Sequence, residues 1–325
     1  MNRIGFVLQK SVKAIAMILA IVVFNFFLIH STPGDPALVL AGESGSADEQ
    51  YVKDLRREFG LDRPLIVQLG SYVAHVVQGD LGYSYRQRVP VTRLIAERLP
   101  QTLLLTGTAM VFALILGIAL GALAAMRAGT LADSAITVLA LLVFATPSFW
   151  IGLMAVLLFS IQLGWLPPFG MVTVGENLEG FELIGNVLRH LILPATTLGL
   201  YFVAMYARLT RAAMLEVADL DFVRTARAKG LREWQVVLRH ILRNALLPVV
   251  SYAGLHAGYL VSGAVLVETV FAWPGIGRLA FDAVVGRDYT VLLGVFIISS
   301  IMVIAFNLIT DALYSLVDPR IEANA

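Results

Sequence analysis

Apolar runs separated by short polar interruptions dominate the chain. Six of the runs approach the roughly 20 residues that a helix needs to cross a bilayer: 11–29, 101–126, 135–163, 187–209, 245–267 and 290–316. The first, "AIAMILAIVVFNFFLI", follows a head carrying Arg3, Lys10 and Lys13. That flank is the charge pattern of a secretory signal, but "HSTPGDP" behind it offers no small-x-small cleavage site, so the run is expected to stay as an anchor. Gly117 and Gly121 in the second run are spaced for close helix contact. Pro147 in "FATPSFW" and Pro194 in "LILPATT" are positions where a helix can break, and neither comes with a charge partner.

Lys and Arg in the short connections set the expected orientation. The head, the turn with Arg127, the stretch 210–244 and the tail "DPRIEANA" fall on the cytoplasmic side. Residues 164–186, where Glu176, Glu179 and Glu182 face no Lys or Arg, fall outside together with 268–289. Both termini then lie inside, as an even number of spans requires. Residues 30–100 become an extracytoplasmic segment rich in both signs of charge, hence hydrated. It reads as a turn at "TPGDP", a helix over 47–59, a second helix over 64–77 and the glycine-punctuated loop "GDLGYSYR". A packed cap and a docking surface are both compatible with that pattern.

Composition agrees with lipid as the solvent: of 325 residues, 58% are hydrophobic and 14% charged, against about 25% charged in soluble domains. A net charge of +1 leaves no global excess to neutralise a phosphate backbone, which argues against nucleic acid as a partner. The absence of cysteine excludes disulfides, thiolate metal sites and cysteine nucleophiles. No GxxxxGK[ST] loop, HExxH or GxSxG occurs, so the chain is not expected to hydrolyse ATP itself, to bind metal or to catalyse acyl transfer. His30, His75, His190, His240 and His256 are scattered. His256 lies well inside a run, where an ionisable group is a functional candidate and a hydrogen-bonded neutral imidazole is the plainer alternative. Asn25, Asn307 and Asp311 are weaker candidates of the same kind.

The polar stretch 210–244 is long for a turn between neighbouring helices. Trp234, Val237, Leu238, Ile241, Leu242 and Ala245 recur at helical steps, opposite Arg232, Gln235, Arg239 and Arg243, which predicts an amphipathic helix. "DFVRTARA" upstream predicts a short helix capped by Asp219 or Asp221, and Gly230 separates the two. A basic amphipathic helix on anionic headgroups fits that composition.

A more specific reading comes from "DFVRTARAKGL" followed by "RHILRNALLPVV", which resembles the coupling loop of ABC importer permeases, in particular the dipeptide, oligopeptide and nickel group. "IHSTPGDPALVLAGE", "FGLDRPLIVQ", "GDLGYSY", "ERLPQTLLL", "ETVFAWPGIGRL", "RDYTVL" and "DPRI" are similar to stretches of the same family in the same order. The resemblance implies an all-α polytopic membrane protein of the type I importer fold, with six transmembrane helices and an extracytoplasmic segment after the first. Its divisions would be 1–29 (head and first helix), 30–100 (extracytoplasmic), 101–316 (core, with the coupling loop 210–244) and 317–325 (tail). It implies a bacterial cytoplasmic membrane, a homologous second permease, two ATPase subunits and an extracytoplasmic binding protein as partners. It also implies no catalytic residue and no cofactor on this chain, ATP and Mg being held by the ATPases. The short helix before Gly230 would enter a groove on an ATPase, which carries Arg224, Thr225, Ala226, Arg227, Lys229, Gly230 and Leu231 over as the coupling residues. Ala226 would permit close approach, Gly230 the backbone turn, and the three cations would meet acidic or backbone acceptors. Where the general importer loop begins Glu-Ala-Ala, this chain has Arg224, Thr225 and Ala226, and its Leu247–Pro248 comes late; the peptide and nickel group shares both departures. Di- or oligopeptides are the implied cargo, with glutathione, nickel chelates or opines as alternatives. An ion-coupled secondary carrier, which would need broken helices and buried ionisable residues, and a membrane-anchored structural or signalling protein are the rivals from other classes.

Overall fold

The computed structural model describes residues 3–31, 50, 52–53, 57, 62–84, 86–176 and 178–317, with side chains except at 3–11, 29–31, 255–257, 259–263 and 311–317. The chain divides into two units, one built on 1–99 and 279–304, the other on 100–278 and 305–324.

In the first unit, α1 (Arg3–Ser31) and α2 (Leu65–Val77) meet where the ring of Phe26 lies 5.9 Å from that of Tyr72. α2 starts after Pro64, whose carbonyl accepts the first N–H groups of the helix. It matches the helix expected over 64–77, and Ile66 and Val77 are exposed on it, at 84% and 80%. At 13 residues it is too short to cross a bilayer. The turn expected at 32–36 lies outside the described residues, as does most of the helix expected over 47–59. The loop "GDLGYSYR" opens a small hairpin, β1 (Tyr83–Ser84) antiparallel to β2 (Val89–Pro90). Ser84 Oγ donates to Asp288 Oδ2 at 2.5 Å and Arg86 Nη1 to the Gly286 carbonyl at 2.7 Å. Two motifs about 200 residues apart in sequence, "GDLGYSY" and "RDYTVL", are therefore the halves of one polar contact. Asp288 also accepts from Val291 N at 3.2 Å, capping the helix that follows.

The second unit takes up α3 (Val91–Met126) from Pro100 onward, then α4 (Leu131–Ala145), α5 (Ser148–Ala155) and α6 (Gly180–Ala218). Next come α7 (Asp221–Ala228) and α8 (Arg243–Val270), with α9 (Ile276–Gly286) and α10 (Tyr289–Val317) shared between the units. Helices cover all six predicted runs. Among the described residues, three helices are long and apolar enough to cross a membrane unaided, in α3, α6 and α10.

The third run departs from expectation. α4 and α5, the latter continued by a π-helical segment over Val156–Gln162, are bent by 103° at Thr146–Pro147. Pro147 disfavours the helical region for the residue before it, and Thr146 is extended at φ −89°, ψ 132°. Pro194, by contrast, is buried within α6 and the helix runs on through it, as membrane helices allow when neighbours satisfy the freed carbonyl.

Close approach of α3 and α6 follows from the two glycines. A methyl at Gly117 would sit 2.7 Å from Tyr206 Cβ, and one at Gly121 the same distance from Thr210 Cβ. Around this seam Leu105, Ala109, Phe202, Tyr206, Val249, Phe271 and Trp273 form the buried core.

α8 ends on Ala272 at φ 51°, with Trp273 N bonded to the Glu268 carbonyl at 2.8 Å and Ala272 N to that of Thr269 at 3.3 Å, the two-bond closure of a helix C-terminus. Inside this turn the Glu268 carboxylate is fully buried. It accepts from Thr102 Oγ1 at 2.7 Å and from Arg278 N at 3.0 Å, and Thr102 in turn accepts from Ile276 N at 2.8 Å. Trp273 Nε1 donates to the Gln101 carbonyl at 3.0 Å. Here too two motifs, "ERLPQTLLL" and "ETVFAWPGIGRL", meet.

Candidate functional site

The polar stretch after α6 forms a hook. α6 ends at Ala218, Leu220 stands extended at φ −73°, ψ 147°, and α7 starts at Asp221. Neither Asp219 nor Asp221 caps α7 through its side chain, contrary to expectation. Leu220 occupies the cap position, and its carbonyl accepts from Val223 and Arg224. Asp221 instead lies in the first turn, where a carboxylate favours the helix dipole.

One face of α7 is buried on the chain itself. Val223 and Ala226 pack with Ala213 and Met214 of α6 and with Val236, Val237, Ile241 and Ala245. Ala226, expected to admit another protein, therefore faces inward: three residues from Val223 on a helical period, it lets α7 lie close to its own stem. Arg224, Thr225, Arg227, Lys229, Gly230 and Leu231 are exposed, beside Phe222 and Ala228. Thr225 Oγ1 is turned back onto the Asp221 carbonyl at 2.9 Å.

At the tip, Gly230 N bonds to the Arg227 carbonyl at 2.9 Å and Leu231 N to that of Ala226 at 3.4 Å. Those bonds define a helix end whose next residue must be left-handed, and Gly230 has φ +79°. Nothing lies within 4 Å of where its Cβ would be, so the backbone angle alone demands glycine. Across the turn Arg227 Nη2 and Nε reach Glu233 at 2.7 and 3.2 Å. The guanidinium holds the Glu233 carboxyl below its usual range, chiefly by hydrogen bonding. Both side chains are about half exposed or more, which keeps the pair's contribution under about 1 kcal/mol.

The returning limb differs from a regular amphipathic helix. After one turn at Glu233–Gln235 it widens into a π-helical segment over Val236–Leu242 that runs into α8. Val236 and Ile241, five residues apart, are both buried, as i→i+5 winding requires. Trp234 and Leu238, expected on the apolar face, are 58% and 54% exposed instead. The hook thus presents Phe222, Leu231 and Trp234 among Arg224, Lys229 and Arg232, an exposed apolar set with cationic neighbours.

The remaining candidates are dispersed. His190 is buried with Nδ1 2.9 Å from the Asn186 carbonyl, Asn25 is buried, and Asn307 and His75 are exposed. The side chains of His30, His256 and Asp311 lie outside the described residues. Among the described residues no group of three or more His, Asp and Glu stands together as a metal site. Sequence reading missed one ion pair at the foot of α6, Arg211 with Asp133, whose partners are 78 residues apart with no periodic signal.

A family model described as binding-protein-dependent transport system inner membrane component matches residues 117–323, and the corresponding N-terminal model matches 3–106. The chain belongs to this family of transport permeases. The permease is 41% identical over 334 residues to the dipeptide transport system permease protein DppB of Escherichia coli K12, covering 98% of each chain. It is 39% identical over 316 residues to a putative peptide transport system permease protein of Brucella abortus, covering 97% and 98%. Among solved structures, it resembles a chain of the MetNI methionine ABC transporter in an inward-facing conformation, with TM-score 0.56 and 19% identity over 69% of this chain and 96% of that one. It also resembles a chain of an amino acid ABC transporter with histidines, with TM-score 0.51 and 16% identity over 68% and 93%. These two likenesses concern the fold.

Proposed function

We propose that this permease is one of two transmembrane subunits of an ATP-driven importer of di- or oligopeptides, and that the hook at α7 and Gly230 is where ATPase motion enters it. The observation that carries the reading is the hook itself: a short helix fixed to its stem by Val223 and Ala226, ended at a glycine, with its outward face exposed and cationic. A homologous permease completes the pathway, and an extracytoplasmic binding protein delivers the cargo. Two cytoplasmic ATPases hold ATP and Mg. The permease itself makes and breaks no covalent bond, and its coupling surface comprises Arg224, Thr225, Arg227, Lys229, Gly230 and Leu231, with Ala226 setting the fit of α7 on its stem. Six crossings put both termini and the hook in the cytoplasm and residues 30–100 outside. The peptide cargo rests on the relatives' names and their full-length similarity.

ATPase closure would shift the hook and bias inward- against outward-facing states. Uptake into proteoliposomes that contain the full complex tests the assignment. Labelled dipeptide is expected to accumulate only when both the binding protein and ATP are supplied. Accumulation driven by an ion gradient without ATP would contradict it, and uptake of glutathione or nickel chelate in place of peptide would move the cargo.

A further inference from the structure

The foot of α6 carries a contact that the hook does not use. Arg211 Nε donates to Asp133 Oδ1 at 2.6 Å and Nη2 to Oδ2 at 2.7 Å, a two-point fork. Gly129 N donates to the same carboxylate at 3.0 Å, so the turn between α3 and α4 is gathered into it. Asp133 is buried, its side chain 6% exposed, whereas that of Arg211 is 33% exposed. Hydrogen bonding from Arg211 and then from Gly129 holds the Asp133 carboxyl down at about 2. The folded value lies below the unfolded one, so the pair's contribution is complete above about pH 4 and is lost only as the pH falls toward 2.

The neighbouring residues show what this fork joins. Ala213 and Met214, two and three residues further along α6, sit in the apolar cluster that seats Val223 and Ala226 of the hook. α4 leads to the 103° break at Pro147. We propose that Asp133 and Arg211 are a positioning pair that makes α4, and the broken span beyond it, follow the stem α6 when the hook is displaced. An apolar helix seam resists separation but permits sliding; a bidentate charged fork fixes register along it. The proposal rests on the coupling role given to the hook.

Asp133→Asn tests it in the reconstituted complex, because it leaves the partly hydrated Arg211 rather than a buried lone carboxylate. Subunit co-purification and basal ATP hydrolysis are expected to match wild type. Binding-protein-stimulated hydrolysis and peptide transported per ATP should each fall about five- to tenfold, the size of an ordinary coupling free energy. The exchange Asp133→Arg with Arg211→Asp should recover part of both. Full stimulation and unchanged transport per ATP in Asp133→Asn would overturn the proposal, and so would loss of the ATPases on purification, which would make the pair a support for docking. A wild-type complex that shows no stimulation would instead overturn the hook's own assignment.

Discussion

Replacing Gly230 with leucine is expected to abolish binding-protein-stimulated ATP hydrolysis, while replacing it with alanine leaves most of that stimulation in place. Both variants place a side chain at φ +79°, a strain of roughly 1–2 kcal/mol for any L-residue. The site has open space within 4 Å of the added Cβ, so the first side-chain carbon of either variant meets no atom of the permease. The backbone penalty is common to both, and the hook's apolar seat on α6 is untouched. What distinguishes leucine is its reach into the space where the ATPase would sit, and a steric loss of only about 1.4 kcal/mol there weakens binding tenfold. Steady-state ATP hydrolysis by the reconstituted complex, with and without binding protein, separates the two. Equal behaviour of alanine and leucine would assign the whole effect to the backbone and remove the reason for placing a partner at the tip.

The second large effect concerns the turn after α8. A methyl on Gly275 would overlap the Glu268 carboxylate, which is fully buried and held by Thr102 and by Arg278 N. The carboxylate cannot step aside without releasing those donors. Overpacking adds roughly 1–3 kcal/mol, and a buried polar group left unpaired about as much again. Gly275→Ala is therefore expected to lower the thermal unfolding midpoint of the detergent-purified complex markedly. Gly185→Ala is the matched control. It lies in α6 with nothing within 4 Å of its added Cβ, and alanine there should be neutral or stabilising by up to about 1 kcal/mol. Equal midpoints for the two variants would show that Glu268 is not held where the structure puts it.

What the chain disclosed before its structure follows from how local each feature is. The apolar runs were legible because a helix in lipid must satisfy its own backbone and show apolar side chains all round. Gly230 was legible because a positive φ after a helix is a one-residue demand. The burial of Ala226 was not legible, since its orientation depends on α7 packing against α6, which no local pattern states. Pro147 and Pro194 look alike in sequence, and only the surroundings decide that the first breaks a helix and the second lies within one. The π-helical winding left Val237, Ile241 and Ala245 on the buried side as expected but exposed Trp234 and Leu238 and buried Val236, because a period of 3.6 does not hold where the turn is wider. The ordered motifs were visible as strings, but their meaning as paired contacts, Ser84 with Asp288 and Thr102 with Glu268, needed the fold.

The central claim is that the hook meets the ATPase, and site-specific cross-linking tests it most directly. The native chain has no cysteine, so single cysteines can be added without background. Lys229→Cys, carrying a short photoreactive maleimide in the assembled complex, is expected to give a covalent adduct with the ATPase subunit. Glu179→Cys, on the stretch assigned to the outer face, is expected to give none and to be the one labelled by an impermeant reagent in intact cells. An ATPase adduct at Glu179→Cys, or none at Lys229→Cys in a complex that still hydrolyses ATP on stimulation, would contradict the account.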